Sequence, residues 1–178
     1  LLLAPQPTTE NQPEEVRFAT ALSSAFERAA DLVSPSVVNI TTRSAVRDFT
    51  TGRTSLVDSG VGSGVIVSES GYVLTNNHVI AEASDATVRL SDGREFVATL
   101  VGRDSLRDLA LLRIEADNIT PATFAESEDV KVGQWELAVG SPFGLSSTVS
   151  TGIDSRKCRG LGISSRASAA FEDFIQTD

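Results

Sequence analysis

The chain has 178 residues, a length that fits one domain or slightly more. Its 40% hydrophobic and 22% charged content excludes a collagen, a disordered chain and a polytopic membrane protein. Lys and Arg number 15 against 24 Asp and Glu, a net charge of −9, so nucleic acid is not an expected partner.

A single cysteine, Cys158, excludes an intrachain disulfide and a Cys-rich metal site. The opening Leu1-Leu2-Leu3-Ala4-Pro5 is compatible with the tail of a removed export signal or membrane anchor, and equally with an artificial start. No run of about 18 apolar residues reads as a bilayer-spanning segment.

In chain order, residues 1–15 are polar and Pro-rich over most of their length and read as a flexible lead-in. Residues 16–33 form the first predicted element, a helix, because Phe18, Leu22, Phe26, Ala29 and Val33 recur at helical spacing. It should end before Ser34-Pro35, since a proline disfavours helical backbone in the residue before it. Val37-Val38-Asn39-Ile40 then reads as a strand, and the polar residues 43–59 as a loop. Short β-rich runs follow at Gly62–Val67, Tyr72–Thr75, Ala86–Leu90, Glu95–Val101 and Leu109–Ile114. Turn signals such as Glu69-Ser70-Gly71 and Ser91-Asp92-Gly93-Arg94 separate them. Regular short strands without intervening helices predict an antiparallel barrel or sandwich. A further set of strands opens at Gly133–Gly140 and continues through Thr148–Ile153.

The chain contains one histidine, His78, so any imidazole chemistry falls to it. His78 follows directly on a predicted strand, in Thr75-Asn76-Asn77-His78, and Asp108 opens another, in Asp108-Leu109-Ala110-Leu111-Leu112. Two strand ends are rigid enough to hold a His–Asp pair. In such a pair the carboxylate fixes the imidazole tautomer and leaves Nε2 as a base. A lone histidine and a turn-forming aspartate also have ordinary structural uses, and spacing alone does not choose between the readings.

Seven stretches, in order and with matching spacing, resemble the HtrA/DegP family of trypsin-like serine endopeptidases. They are Val33–Ile40; Gly62–Val67; Gly71-Tyr72-Val73-Leu74-Thr75-Asn76-Asn77-His78-Val79-Ile80; Leu90-Ser91-Asp92-Gly93-Arg94; Asp108–Leu112; Val132-Gly133-Gln134-Trp135; and Ala138-Val139-Gly140-Ser141-Pro142-Phe143-Gly144-Leu145. The resemblance implies an all-β, chymotrypsin/trypsin-like double barrel preceded by the helix. The protease domain would span 34–178, with a first barrel over about 34–116 and an incomplete second barrel over about 130–178. It implies His78 as general base and Asp108 as its orienting carboxylate, and gives Asp104 no catalytic role. No cofactor or metal is needed for acyl transfer of this kind.

The resemblance also sets expectations that this sequence does not itself fill. The family's nucleophile lies in an Asn-Ser-Gly-Gly segment shortly after a stretch like Phe174-Ile175-Gln176-Thr177-Asp178. No such segment occurs here, so the nucleophilic serine and the oxyanion-hole amides are expected beyond residue 178, and the 178 residues alone are expected to be inactive. Departures from the family pattern concentrate at 154–160, where Asp154-Ser155-Arg156-Lys157-Cys158-Arg159-Gly160 replaces small and apolar residues. By position, 154–170 resembles a regulatory loop that senses a peptide held by a downstream PDZ domain. Residues 43–59 resemble a loop that reaches a neighbouring subunit. The implied setting is extracytoplasmic, periplasmic or envelope-bound, with unfolded or misfolded polypeptides as substrates and a homo-oligomer, a trimer or its multiples, as the assembly. The rival expectation is a non-catalytic chaperone or peptide-binding module of the same fold.

Overall fold

A computed structural model describes residues 13–47, 49–141, 148–159 and 174–177. Helix α1 (Glu14–Val33) begins slightly before the predicted start at residue 16, with Glu14 and Glu15 in its first turn, where the amino-terminal dipole favours anions. It stops at Val33, and Ser34–Ser36 form a 3-10 turn around Pro35. The helix buries no residue fully; Leu22, Phe26, Ala29 and Ala30 form its half-buried stripe. Phe26 meets Trp135 edge-on, with ring centroids 5.4 Å apart.

Six antiparallel strands close into a barrel: β1 (Val37–Arg47), β2 (Thr54–Ile66), β3 (Tyr72–Asn76), β4 (Asp85–Arg89), β5 (Glu95–Asp104) and β6 (Leu109–Arg113), in the order β1-β2-β3-β6-β5-β4. Closure gives every strand a partner on both sides and removes the exposed edges of an open sheet. Period-2 alternation sends Val38 and Ile40 of β1, Val73 of β3, Val88 of β4 and Ala110 and Leu112 of β6 into the interior. Each full-sized aliphatic side chain so buried contributes about 1.5–3 kcal/mol. Gly71 lets the β2–β3 turn close on this core. Its φ is +83°, its carbonyl accepts the Ile114 N–H at 2.9 Å, and a Cβ there would lie 2.0 Å from the Ile114 carbonyl oxygen.

The chain differs from the sequence reading at two places. Residues 43–59 are mostly not a loop: Arg43–Arg47 pairs with Thr54–Asp58 as an extension of the β1–β2 hairpin beyond the barrel. Most of these side chains are exposed on both faces, so the strand has no apolar alternation to betray it. Downstream, β7 (Trp135–Gly140) pairs with β8 (Thr148–Arg159), and β8 with β9 (Phe174–Thr177), as a three-stranded sheet. Thus 154–159 continues a strand where the resemblance implies the start of a regulatory loop; the rest of that segment, 160–170, lies outside the described residues. The fold is a closed first barrel and a partial second one.

The two parts join at a small buried clip. The Asn39 side chain donates from Nδ2 to the Ser141 carbonyl at 2.7 Å, and the Ser141 N–H donates to the Ser63 hydroxyl at 3.0 Å. Ser63 and Ser141 are therefore engaged in holding the sheet against the barrel.

Candidate active site

His78 and Asp108 are brought together by the pairing of β3 with β6. The register sets Asn76, the last residue of β3, opposite Leu109, the first of β6. The one-turn helix α2 (Asn77–Ile80) starts immediately after β3 and carries His78; Asp108 sits immediately before β6. Residues 30 apart in sequence thus occupy adjacent ends of neighbouring strands.

The pair is fastened at several points. The Asp108 carboxylate takes the His78 backbone N–H on Oδ1 at 2.8 Å and meets His78 Nδ1 through Oδ2 at 2.6 Å. An ionised carboxylate only accepts, so the proton of this bond sits on Nδ1. Nε2 is left with its lone pair outward, and it makes no hydrogen bond to any described residue. The imidazole side chain is 70% exposed, open to a substrate.

Asp108 itself is bent into the left-handed region, with φ +54°. Aspartate tolerates that conformation better than most residues, at a cost of about 1–3 kcal/mol. The Asp108 carbonyl, turned by this bend, accepts the Asn77 N–H at 3.1 Å and the Asn76 side-chain amide at 3.1 Å. The same Asn76 nitrogen also reaches Oδ2 at 3.2 Å. Burial pushes the Asp108 carboxyl up, but the hydrogen bonds from the His78 ring and backbone, the His78 charge and the Asn76 amide outweigh it, so its pKa lies below the ordinary 3.8.

Asp104 shapes the approach. Its Oδ1 accepts the Leu106 and Arg107 N–H groups at 3.0 and 3.1 Å, and Oδ2 pairs with Arg107 Nη1 at 2.6 Å. This Asx-type turn delivers the chain to Asp108. Gly62 lies so close to α2 that a Cβ would come within 2.6 Å of a Val79 methyl. A groove lined by Thr42, Gly60, Val61, Val79 and Glu82 runs up to His78.

Both residues singled out from the sequence, His78 and Asp108, therefore meet, and Asp104 lies outside the pair, in the turn that leads to it. No local sequence pattern singles out Asn76. Its one visible signal was a side chain with two N–H donors two residues before the histidine.

A trypsin-like peptidase domain profile matches residues 62–178, a stretch that contains both His78 and Asp108. The chain belongs to the trypsin-like peptidase family. Among curated members, a DegP-like periplasmic serine endoprotease of Marinomonas sp. is 52% identical over 120 residues, covering 67% of this chain and 24% of that protein. A periplasmic serine protease of the do/HhoA-like kind from Haemophilus influenzae is 50% identical over 121 residues, covering 67% of this chain and 25% of that protein. The HtrA-type protease AlgW, solved with a tripeptide, superposes with a TM-score of 0.72 at 39% identity, over 85% of this chain and 45% of that one. Within the family, then, the chain is of the HtrA/DegP type, and it spans about a quarter of the length of the curated relatives it matches.

Proposed function

We propose that the chain carries the base half of a serine endopeptidase site, with His78 as general base and Asp108 as the carboxylate that orients it. The observation that carries this reading is the 2.6 Å contact between His78 Nδ1 and Asp108 Oδ2, which leaves Nε2 open. In the reaction, Nε2 takes the proton of a serine hydroxyl as the oxygen attacks a peptide carbonyl. It returns that proton to the leaving amine, and the acyl-enzyme is hydrolysed by the same steps with water as nucleophile. Asp108 stabilises the imidazolium throughout.

We assign the nucleophile to none of the serines in these 178 residues. Of the nearest sequence matches, Ser63 has its hydroxyl engaged by the Ser141 N–H, and Ser141 is only 9% exposed with its backbone bound into the clip. By resemblance, the attacking serine and the oxyanion-hole amides belong to a segment following residue 178. Also by resemblance, the substrates are unfolded or misfolded polypeptides and the compartment is the periplasm, where the named relatives are placed. The same reading extends to a homotrimer, for which the exposed Phe18 of α1 is a candidate contact, and to a downstream PDZ domain.

The test is hydrolysis of unfolded casein by the protein at the length of its relatives. His78→Ala is expected to reduce turnover by several orders of magnitude without unfolding the barrel. Near-normal turnover by that variant rejects the assignment. Stoichiometric labelling by a serine-reactive phosphonate in the parent separates an enzyme from a peptide-binding module of the same fold.

A further inference from the structure

We propose that Asn76 is a positioning residue that sets the tautomer of His78 by holding Asp108 in its left-handed conformation. The inference rests on the reading of His78 as the base. A side-chain amide has two N–H donors on one nitrogen. Asn76 Nδ2 reaches two acceptors on one residue, the Asp108 carbonyl at 3.1 Å and Oδ2 at 3.2 Å. One acceptor belongs to the Asp108 backbone and the other to its side chain. A group that binds both therefore fixes the rotation of the carboxylate relative to the backbone.

That rotation decides which proton the imidazole keeps. Asp108 aims Oδ1 at the His78 backbone N–H and Oδ2 at Nδ1, at 2.8 and 2.6 Å. If the carboxylate swings, Nδ1 loses its acceptor. The neutral ring then redistributes its proton between its two nitrogens, and the fraction with a free Nε2 falls. The φ of +54° at Asp108 is a conformation that relaxes unless something outside the residue retains it. The Asn77 N–H and the Asn76 amide both bind the Asp108 carbonyl, and only Asn76 also holds the carboxylate. Asn76 is itself exposed, so replacing it opens no cavity in the core.

The single histidine makes the test direct, because these 178 residues give one set of imidazole nitrogen signals. In the parent, the neutral imidazole is expected as the Nδ1–H tautomer, with a strongly downfield, slowly exchanging proton. Asn76→Ala removes the amide; Asn76→Asp keeps its shape and removes its donors. Both are expected to shift the ring toward a mixture of tautomers. Both should also speed amide exchange at Asn77 and His78 by about tenfold or more, while Val73 and Leu112 in the core keep their protection. A merely structural Asn76 would lower core protection and leave the tautomer alone. Retention of the parent tautomer and local exchange in both variants overturns the proposal. A parent without the Nδ1–H tautomer overturns both this proposal and the reading of His78 as base. Tautomer loss in the variants, together with an absence of peptidase activity in the longer protein, leaves the positioning role standing and removes only the enzyme reading.

Discussion

Gly62 of β2 and Val79 of α2 are packed so tightly that a single added methyl at position 62 would lie 2.6 and 2.7 Å from the two Val79 methyls. Val79 is the residue after His78, so this contact sets how far the one-turn helix stands off the barrel. Gly62→Ala is expected to destabilise the chain by about 1–3 kcal/mol, the usual cost of overpacking. It should also displace the imidazole from Asp108. Urea denaturation gives the first quantity and the His78 Nδ1–H resonance the second. Val79→Ala in the same chain makes room for the methyl, so the double variant should recover part of the loss. A strictly additive double variant refutes the steric account.

The carboxylate of Asp108 is the subject of a second prediction. Asp108→Asn preserves size while replacing an acceptor-only group by one that can donate. An amide donating to Nδ1 forces the proton onto Nε2, the wrong tautomer for a base. In the protein at the length of its relatives, turnover of unfolded casein should fall by about 10⁴-fold. Thermal melting should change little by comparison, because the Asp108 side chain is 43% exposed. A fall of less than tenfold contradicts the orienting role.

The sequence disclosed the barrel because its buried strands alternate: Val38 and Ile40, or Ala110 and Leu112, repeat with period two and face one core. It disclosed His78 and Asp108 through motif and strand-end placement. It did not disclose the hairpin extension at Arg43–Arg47 and Thr54–Asp58, where backbone pairing proceeds with mostly exposed side chains. Nor did it disclose why Gly62 is glycine, since the reason is Val79, 17 positions away and on another element. Asn76 was hidden for a similar reason: its two acceptors belong to a residue 32 positions on, in a conformation that no local pattern announces.

The acid limb of the stability curve follows from three aspartates whose pKa lies below the ordinary 3.8. Backbone and side-chain hydrogen bonds from Arg94 lower Asp92, and those from Arg107 lower Asp104. At Asp108, burial raises the carboxyl, and the bonds from His78 and Asn76 more than offset it. A carboxyl depressed on folding adds stability that is complete above its unfolded value and is lost as pH falls through its folded value. Acidification is therefore expected to leave these contributions intact down to pH 3.8 and to remove them below it. Carbon-detected carboxyl titration should place all three midpoints under 3.8. A midpoint at or above that value for Asp108 means that its bonds to His78 and Asn76 do not outweigh burial.

The clip between the two sheets gives the last prediction. Asn39 is 4% exposed, and its Nδ2 serves the Ser141 carbonyl at 2.7 Å and the Gly62 carbonyl at 3.3 Å. Asn39→Ala removes this donor from the Ser141 carbonyl, on a residue 9% exposed. Loss of one such hydrogen bond costs about 0.5–1.5 kcal/mol. The loss should be local: amides of β7 exchange faster while Val73 and Leu112 in the closed barrel keep their protection. Ser63→Ala cuts the other strand of the clip, the 3.0 Å bond from the Ser141 N–H. Both bonds converge on Ser141, so the two substitutions should be non-additive, with the double variant costing less than the sum of the singles. Additivity would mean that the two bonds act independently, and that the docking of β7 is set instead by packing such as the contact of Phe26 with Trp135.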